Sequence, residues 1–136
     1  MIDFCFEEID SFEFNQPQVN SWLADAVVKE GYLLGEISVV FCSDDYLLEI
    51  NKKHLEHDYY TDIITFNYNE DNCVSGDLFI SVTRVEENAS EFNVLFLEEL
   101  KRVLVHGVLH LCGYKDKTEE DILIMRSKEN YYLKQN

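Results

Sequence analysis

The residues most suited to chemistry are two histidines, His106 and His110, which lie four positions apart in an apolar run. On a helix this spacing puts both imidazoles on one face, one turn apart, so that they can reach the same metal ion. Gly113 is a typical helix terminator, and a chain that turns back after it can offer Asp116 as a third ligand. Three protein ligands and one open position are typical of a catalytic zinc site. The segment therefore predicts a metallohydrolase centre.

Simpler interpretations exist for the same residues. A buried histidine is usually satisfied by a backbone carbonyl, and Asp116 would also be favourable just before the next helix. The apolar setting favours a metal, because burying an unpaired imidazole is costly. Cys112 is not expected to be a ligand, since at ~100° per residue it lies about 200° around the helix from His110.

The residue after the first histidine argues against one class of enzyme. Zinc peptidases with an HExxH motif place their general base, a glutamate, at this position. This chain has Gly107 there. The ordinary zinc peptidase mechanism is therefore not supported, and the sequence identifies no general base.

Composition limits the class of protein further. The chain has 136 residues, 46% of them hydrophobic, which predicts one folded domain spanning 1–136. It has no apolar run long enough for a membrane span and no signal peptide pattern, and its four cysteines lack paired spacing. We expect reduced, buried thiols in a cytoplasmic protein that does not contact membranes. The formal charge of −16 argues against general RNA or DNA binding but permits a local basic patch.

Both strands and helices are predicted to position the two histidines and Asp116. Strands are predicted at 2–6, 37–42, 63–67 and 77–81. A first helix is predicted to begin at Asn15 and to be closed by Gly31 and Gly35. Three more are predicted at 44–51, 82–89 and about 93–112, and a fifth begins with a capping box at Thr118. The predicted buried side of the long helix comprises Leu97, Leu100, Leu104, Val108 and Leu111. The expected fold class is α+β, a small mixed β-sheet packed by helices.

Residues 106 to 114 resemble the HGxLHLxGYDH motif of the YbeY family of bacterial metal-dependent endoribonucleases, and match it at every specified position. The segment 61–66 resembles the family's TDVLSF, 76–81 resembles GDIxIS, and Ile50-Asn51 matches its LN. The resemblance extends over roughly residues 35 to 135. It implies a zincin-like fold, a zinc ion held by three histidines, and hydrolysis of single-stranded RNA in 16S rRNA maturation and ribosome quality control. The implied partners are RNA and the small ribosomal subunit or its assembly proteins, with no role for DNA.

The resemblance assigns roles to particular residues. His106 and His110 fall on the first two zinc ligands, and Asp116 falls on the third histidine, with Lys115 replacing the aspartate before it. An aspartate oxygen also binds zinc, so a His/His/Asp site remains workable.

A family arginine expected to face the substrate phosphates falls on Leu55. His54 or His57 could substitute for it, but surface histidines in such a segment are more often ordinary polar loop residues. Arg102, one turn before His106, is the better candidate for a catalytic phosphate contact. Its alternative role is a salt bridge to Glu98.

The sequence thus predicts a zinc-dependent, single-strand-specific endoribonuclease. Two other functions remain open. One is a non-catalytic ribosome-assembly factor whose metal is structural, which the acidic charge and Leu55 favour. The other is a metal-dependent hydrolase of a small amide or ester.

Overall fold

A computed structural model describes residues 1–55 and 60–135 as a four-stranded sheet with five helices. The elements in chain order are β1 (Ile2–Glu7), α1 (Gln16–Lys29), β2 (Leu33–Cys42), α2 (Asp44–Leu55), β3 (Ile63–Asn67), β4 (Cys73–Ser81), α3 (Val82–Phe92), α4 (Phe96–Leu111) and α5 (Glu119–Leu133). The strand order is β1-β2-β4-β3, with β3 antiparallel to β4 and the other pairs parallel. The predicted α+β class is confirmed. No helix in the described part of the chain is long and apolar enough to cross a membrane.

Short polar side chains begin the helices where the sequence predicts them. The Asn15 side chain accepts a hydrogen bond from the Gln18 backbone N–H at the start of α1. The Thr118 hydroxyl accepts one from the Asp121 N–H, 3.0 Å away, at the start of α5. Each bond satisfies a backbone donor that the helix itself leaves unpaired, which fixes where the helix begins.

The sequence predicts that Gly35 helps to close α1, and this is wrong, because Gly35 lies within β2. Helix α1 ends at Lys29 and is followed by Gly31, which has a φ of 92°. A Cβ atom at Gly35 would lie 2.1 Å from the Ser75 hydroxyl oxygen of β4. The glycine is thus required by the close approach of two strands rather than by a helix end.

The long helix begins later than predicted, at Phe96. Asn93, the predicted first residue, has φ 59° and caps the C-terminus of α3 in the left-handed region. Leu97 consequently lies on the first turn of α4 and is 40% exposed, so its predicted burial is wrong.

Helix α4 lies against the sheet and forms much of the core. Its Leu100, Leu104 and Leu111 are at most 1% exposed, and burial of each such side chain stabilises the fold by about 1.5–3 kcal/mol. A Cβ atom at Gly107 would lie 2.8 Å from Ile63 Cδ1 of β3 and about as close to β4. The backbone of α4 at Gly107 therefore rests directly on the sheet.

The cysteines are all free, but only two are buried. Cys42 and Cys112 belong to the core, whereas Cys73 is half-buried. Cys5 is exposed, because side chains of β1 alternate in direction and Cys5 follows Asp3 on the outward side. The expectation of four buried thiols is therefore wrong for Cys5 and for Cys73.

Candidate metal centre

Three side chains meet at the C-terminal end of α4. The Nε2 atoms of His106 and His110 are 3.1 Å apart, and Asp116 Oδ2 is 3.3 Å from each of them. A tetrahedral zinc ion with bonds of ~2.0–2.1 Å separates neighbouring ligand atoms by about 3.3 Å. The three atoms therefore have the spacing of three corners of a zinc tetrahedron.

Local backbone geometry brings Asp116 back to the helix. Gly113 has φ 105° and donates its N–H to the His110 carbonyl, while Tyr114 donates to the Leu109 carbonyl. This pair of bonds is a Schellman motif, which ends a helix and reverses the chain direction. The prediction that Gly113 ends the helix is confirmed.

Hydrogen bonds determine which nitrogen of each imidazole faces the centre. His110 Nδ1 is 2.9 Å from the Tyr114 carbonyl oxygen, to which it must donate a proton. His106 Nδ1 is 2.6 Å from Glu129 Oε2 and donates likewise. Both Nε2 lone pairs then point towards each other and towards the Asp116 carboxylate. Three such acceptors repel one another unless a cation lies between them, and two imidazoles with a carboxylate suit zinc.

Glu129 supports the centre from α5, although sequence reasoning did not identify it. Its side chain is 4% exposed and accepts hydrogen bonds from His106 and from Arg102 Nη1, the latter at 2.8 Å. Burial raises the pKa of Glu129, but the bonds with His106 and Arg102 outweigh this and leave the pKa below its ordinary value. Burial lowers the pKa of His106, and the bond to Glu129 together with nearby carboxylates raises it overall. An available signal was an acid on the buried face of α5, between Met125 and Tyr132.

Arg102 is held by α5 rather than by its own helix. Its guanidinium donates to Glu129 and, at 2.9 Å, to Asn130 Oδ1. Glu98, the alternative partner that the sequence offers for Arg102, is not the observed one: the ion pair of Arg102 is with Glu129. Arg102 lies beside His106 on the wall of the same cavity.

A second carboxylate anchors the loop that follows α4. Glu30, at the C-terminus of α1, accepts hydrogen bonds from the hydroxyls of Tyr114 and Tyr132 and forms an ion pair with Lys128. Burial raises the pKa of Glu30, but these three partners lower it overall. Because the Tyr114 carbonyl also orients His110, Glu30 connects the first helix to the candidate metal centre.

A cavity of 320 Å³ opens beside His106 and Asp116. Its wall includes two further acids, Asp62 and Glu99, and burial raises the pKa of both carboxyls. Sequence reasoning gave neither a role, although Asp62 lies in the TDVLSF-like segment.

The residues proposed to replace the family arginine lie elsewhere or are not described. His54 is on the last turn of α2, packs edge-on against Phe66, and lines a separate cavity with Asp45. Leu55 is 40% exposed, and His57 lies outside the described residues. Cys112 is buried in the core, in agreement with its exclusion as a ligand.

An α+β fold that presents two histidines from one buried helix and a carboxylate from the next turn defines a zincin-like, metal-dependent hydrolase. The family model described as Endoribonuclease YbeY matches residues 6–136. The chain belongs to the YbeY family, as its motifs predicted.

Individual proteins are similar over nearly the whole chain. An Endoribonuclease YbeY from Flavobacterium johnsoniae is 52% identical over 130 residues, which cover 96% of this chain and 93% of that protein. One from Phocaeicola vulgatus is 44% identical, covering 98% and 96% respectively. The solution structure of a Thermotoga maritima protein has a TM-score of 0.71 at 30% identity and covers 98% of this chain and 87% of its own.

Proposed function

We propose that this protein is a zinc-dependent endoribonuclease that cleaves single-stranded RNA in 16S rRNA maturation and ribosome quality control. The observation that carries the proposal is the triangle of His106, His110 and Asp116 ligand atoms, 3.1 to 3.3 Å on a side. The name shared by its relatives, Endoribonuclease YbeY, supports RNA as the substrate.

Each residue around the centre has a distinct task. His106, His110 and Asp116 would hold the zinc ion, which when bound supplies Lewis-acid polarisation of a phosphoryl oxygen and activation of water. Glu129 keeps the His106 ring in its orientation. Arg102 uses part of its guanidinium to hold Glu129, and its remaining N–H groups are donors for the charge that develops on the phosphate.

The packing of Gly107 argues against the mechanism of HExxH zinc peptidases. A glutamate at this position, as in zinc peptidases, would face Ile63 and Leu78 of the sheet rather than the cavity. The peptidase mechanism is thus disfavoured by geometry as well as by residue type.

We further propose that the protein works as one domain in the cytoplasm, on rRNA held in the small ribosomal subunit or by assembly proteins, and that it does not act on DNA. An acidic chain of charge −16 gains little affinity for nucleic acid from its overall field, so delivery by such partners fits its composition.

Cleavage of single-stranded RNA by zinc-loaded protein tests the proposal, with DNA of the same sequence as a control. His110→Ala should abolish cleavage and lower bound zinc, measured by elemental analysis. His54→Ala is the matched control, because it removes a histidine outside the cavity. Cleavage that persists in His110→Ala would contradict the proposal. Zinc binding without cleavage by the wild type would favour the non-catalytic assembly factor.

A further inference from the structure

The cavity at the metal centre continues into a second one. We call the 320 Å³ cavity beside His106 the metal cavity, and the adjoining space of 490 Å³ the distal cavity. The distal cavity lies between the end of α3, the first half of α4, and α5. Both volumes are within the ~300–1,000 Å³ of sites that hold small ligands. Four residues line both cavities: Phe92, Glu99, Arg102 and Arg126.

The distal cavity is basic in an acidic protein. Lys101, Arg102 and Arg126 line it, against the two acids Glu98 and Glu99. Three of the eleven basic residues of the chain are therefore gathered beside the candidate metal centre. The three cations in this lining exceed its two acids by one, which gives a phosphate group a local excess of positive charge in a molecule of net charge −16.

Arg126 is the guanidinium most available to a phosphate. Its side chain is 56% exposed, and its nearest pairing, with Glu129 Oε1, is 3.7 Å long. This separation is beyond the ~2.7–3.2 Å of a good hydrogen bond. Arg102, by contrast, is 26% exposed and bonded to Glu129 at 2.8 Å.

Phe92 supplies an aromatic surface at the junction. It is the last residue of α3, is 59% exposed, and lines both cavities. An exposed aromatic ring alone means little, because folded proteins expose much apolar surface. Here the ring stands beside a basic groove that leads to a nuclease centre, which is the combination that single-stranded nucleic acid requires.

We propose that the RNA strand runs from the metal cavity into the distal cavity, where one base stacks on Phe92 and the adjacent phosphate is bound by Arg126. This path rests on the proposed function, since it extends the site of RNA cleavage. It assigns Arg126 to the phosphate next to the one at the metal centre, and Arg102 remains the candidate contact for the reacting phosphate.

Steady-state cleavage of a 12-nucleotide single-stranded RNA tests the path. Arg126→Ala and Phe92→Ala should each raise KM about tenfold, with kcat within twofold and zinc content unchanged. The slope of log KM against log salt should fall by about 0.7 for Arg126→Ala and stay constant for Phe92→Ala. Phe92→Tyr should restore the wild-type KM, because it keeps the stacking ring.

Matched controls lie on α5 and at its C-cap, outside both cavities. Lys134→Ala removes an equal charge, and Leu123→Ala removes an apolar side chain that is 71% exposed. Neither should change KM. If Phe92→Ala unfolds the protein, Phe92→Leu keeps the apolar bulk and should still raise KM.

If the wild type cleaves RNA but Arg126→Ala and Phe92→Ala have the same KM as their control variants, the proposed path is wrong. The proposed function would still stand. A loss of kcat at constant KM would also overturn it, because the residues would then act on the reacting phosphate. A wild type that neither cleaves nor binds RNA would refute the proposed function itself.

Discussion

The two candidate histidine ligands depend on the groups that hydrogen-bond to them as much as on their own position in the chain. His106 is oriented by a carboxylate from α5, and His110 by the carbonyl of Tyr114. Each bond fixes a proton on Nδ1 and leaves Nε2 for the metal. The residues that give the candidate centre its geometry are therefore more numerous than its three candidate ligands.

Glu129→Gln should lower zinc affinity about 10- to 100-fold, because it removes the negative charge that orients His106 and pairs with Arg102. Competition with a chelator of known affinity measures the change. Glu120→Gln, an exposed acid on the first turn of α5, is the control. An unchanged affinity in Glu129→Gln would mean that the carboxylate has no part in orienting the ligand.

Asp116→Asn distinguishes a metal ligand from a residue that merely precedes a helix. We expect zinc affinity to fall by at least about tenfold, since the anionic oxygen at 3.3 Å from both Nε2 atoms is lost. Asp121→Asn, in the first turn of α5, should leave zinc binding intact. Equal zinc affinities in the two variants would assign Asp116 to helix capping alone.

At the scale of elements, the contact between α4 and the sheet decides which chemistry the helix can support. Gly107 lies against Ile63 and Leu78, so the neighbouring face of α4, with His106, lines the cavity, and His110 joins His106 at the candidate metal centre one turn further on. The packing surface and the chemical surface are adjacent stripes of one helix.

Gly107→Glu should destabilise the protein by more than about 4 kcal/mol, because it forces a carboxylate into the space of Ile63 and Leu78. Thermal unfolding followed by circular dichroism measures the loss. Leu97→Glu places the same side chain on an exposed position of α4 and should have little effect. A folded Gly107→Glu protein that gains peptidase activity would contradict this account of the helix face.

The local parts of the fold and site were predictable from sequence, whereas contacts between distant segments were not. The spacing of His106 and His110 and the turn at Gly113 depend on neighbouring residues, so periodicity and glycine preference suffice to predict them. Glu129 and Glu30 approach the centre from 23 and 84 residues away along the chain, as measured from His106 and Tyr114. No local pattern encodes such contacts.

The wrong prediction for Gly35 also comes from a contact between distant segments. Gly35 resembles a helix terminator in sequence, but its real constraint is the Ser75 side chain on a neighbouring strand. Only the paired sheet reveals that constraint.

At the scale of the whole molecule, burial divides the four thiols into two classes. Burial raises the pKa of Cys42 and of Cys112 to about 12, so these two thiols stay protonated near neutral pH. Since a disulfide reagent must reach the sulfur, only Cys5 and Cys73, whose side chains are not fully buried, should react in the folded protein. Colorimetric titration should give two fast thiols before denaturation and four after it. Four fast thiols in the native protein would contradict the buried assignment.

The same pKa shifts predict a loss of stability in alkali. The folded state favours the protonated thiols of Cys42 and Cys112, whose ordinary pKa is 9.0. Their contribution is complete below about pH 9 and is lost as the pH rises towards 12, because the unfolded chain releases these protons first. The urea midpoint should fall between pH 8 and 10.5, and fall less in a Cys42→Val/Cys112→Val variant. An equal fall in both proteins would assign the effect to other groups.

The three candidate ligands are close together in the chain, and this has a consequence for how the protein acquires its metal. His106 and His110 are four residues apart and Asp116 is six further on, so an unfolded or nascent chain already holds the complete set within one short segment. Such a segment competes for zinc before folding, which reduces the stabilisation that the ion gives to the native state. Glu129 favours zinc binding by the native state, because its carboxylate reaches His106 only after α5 has packed. Selective affinity for the finished protein is thus a property of tertiary structure, and the packing of α5 completes it.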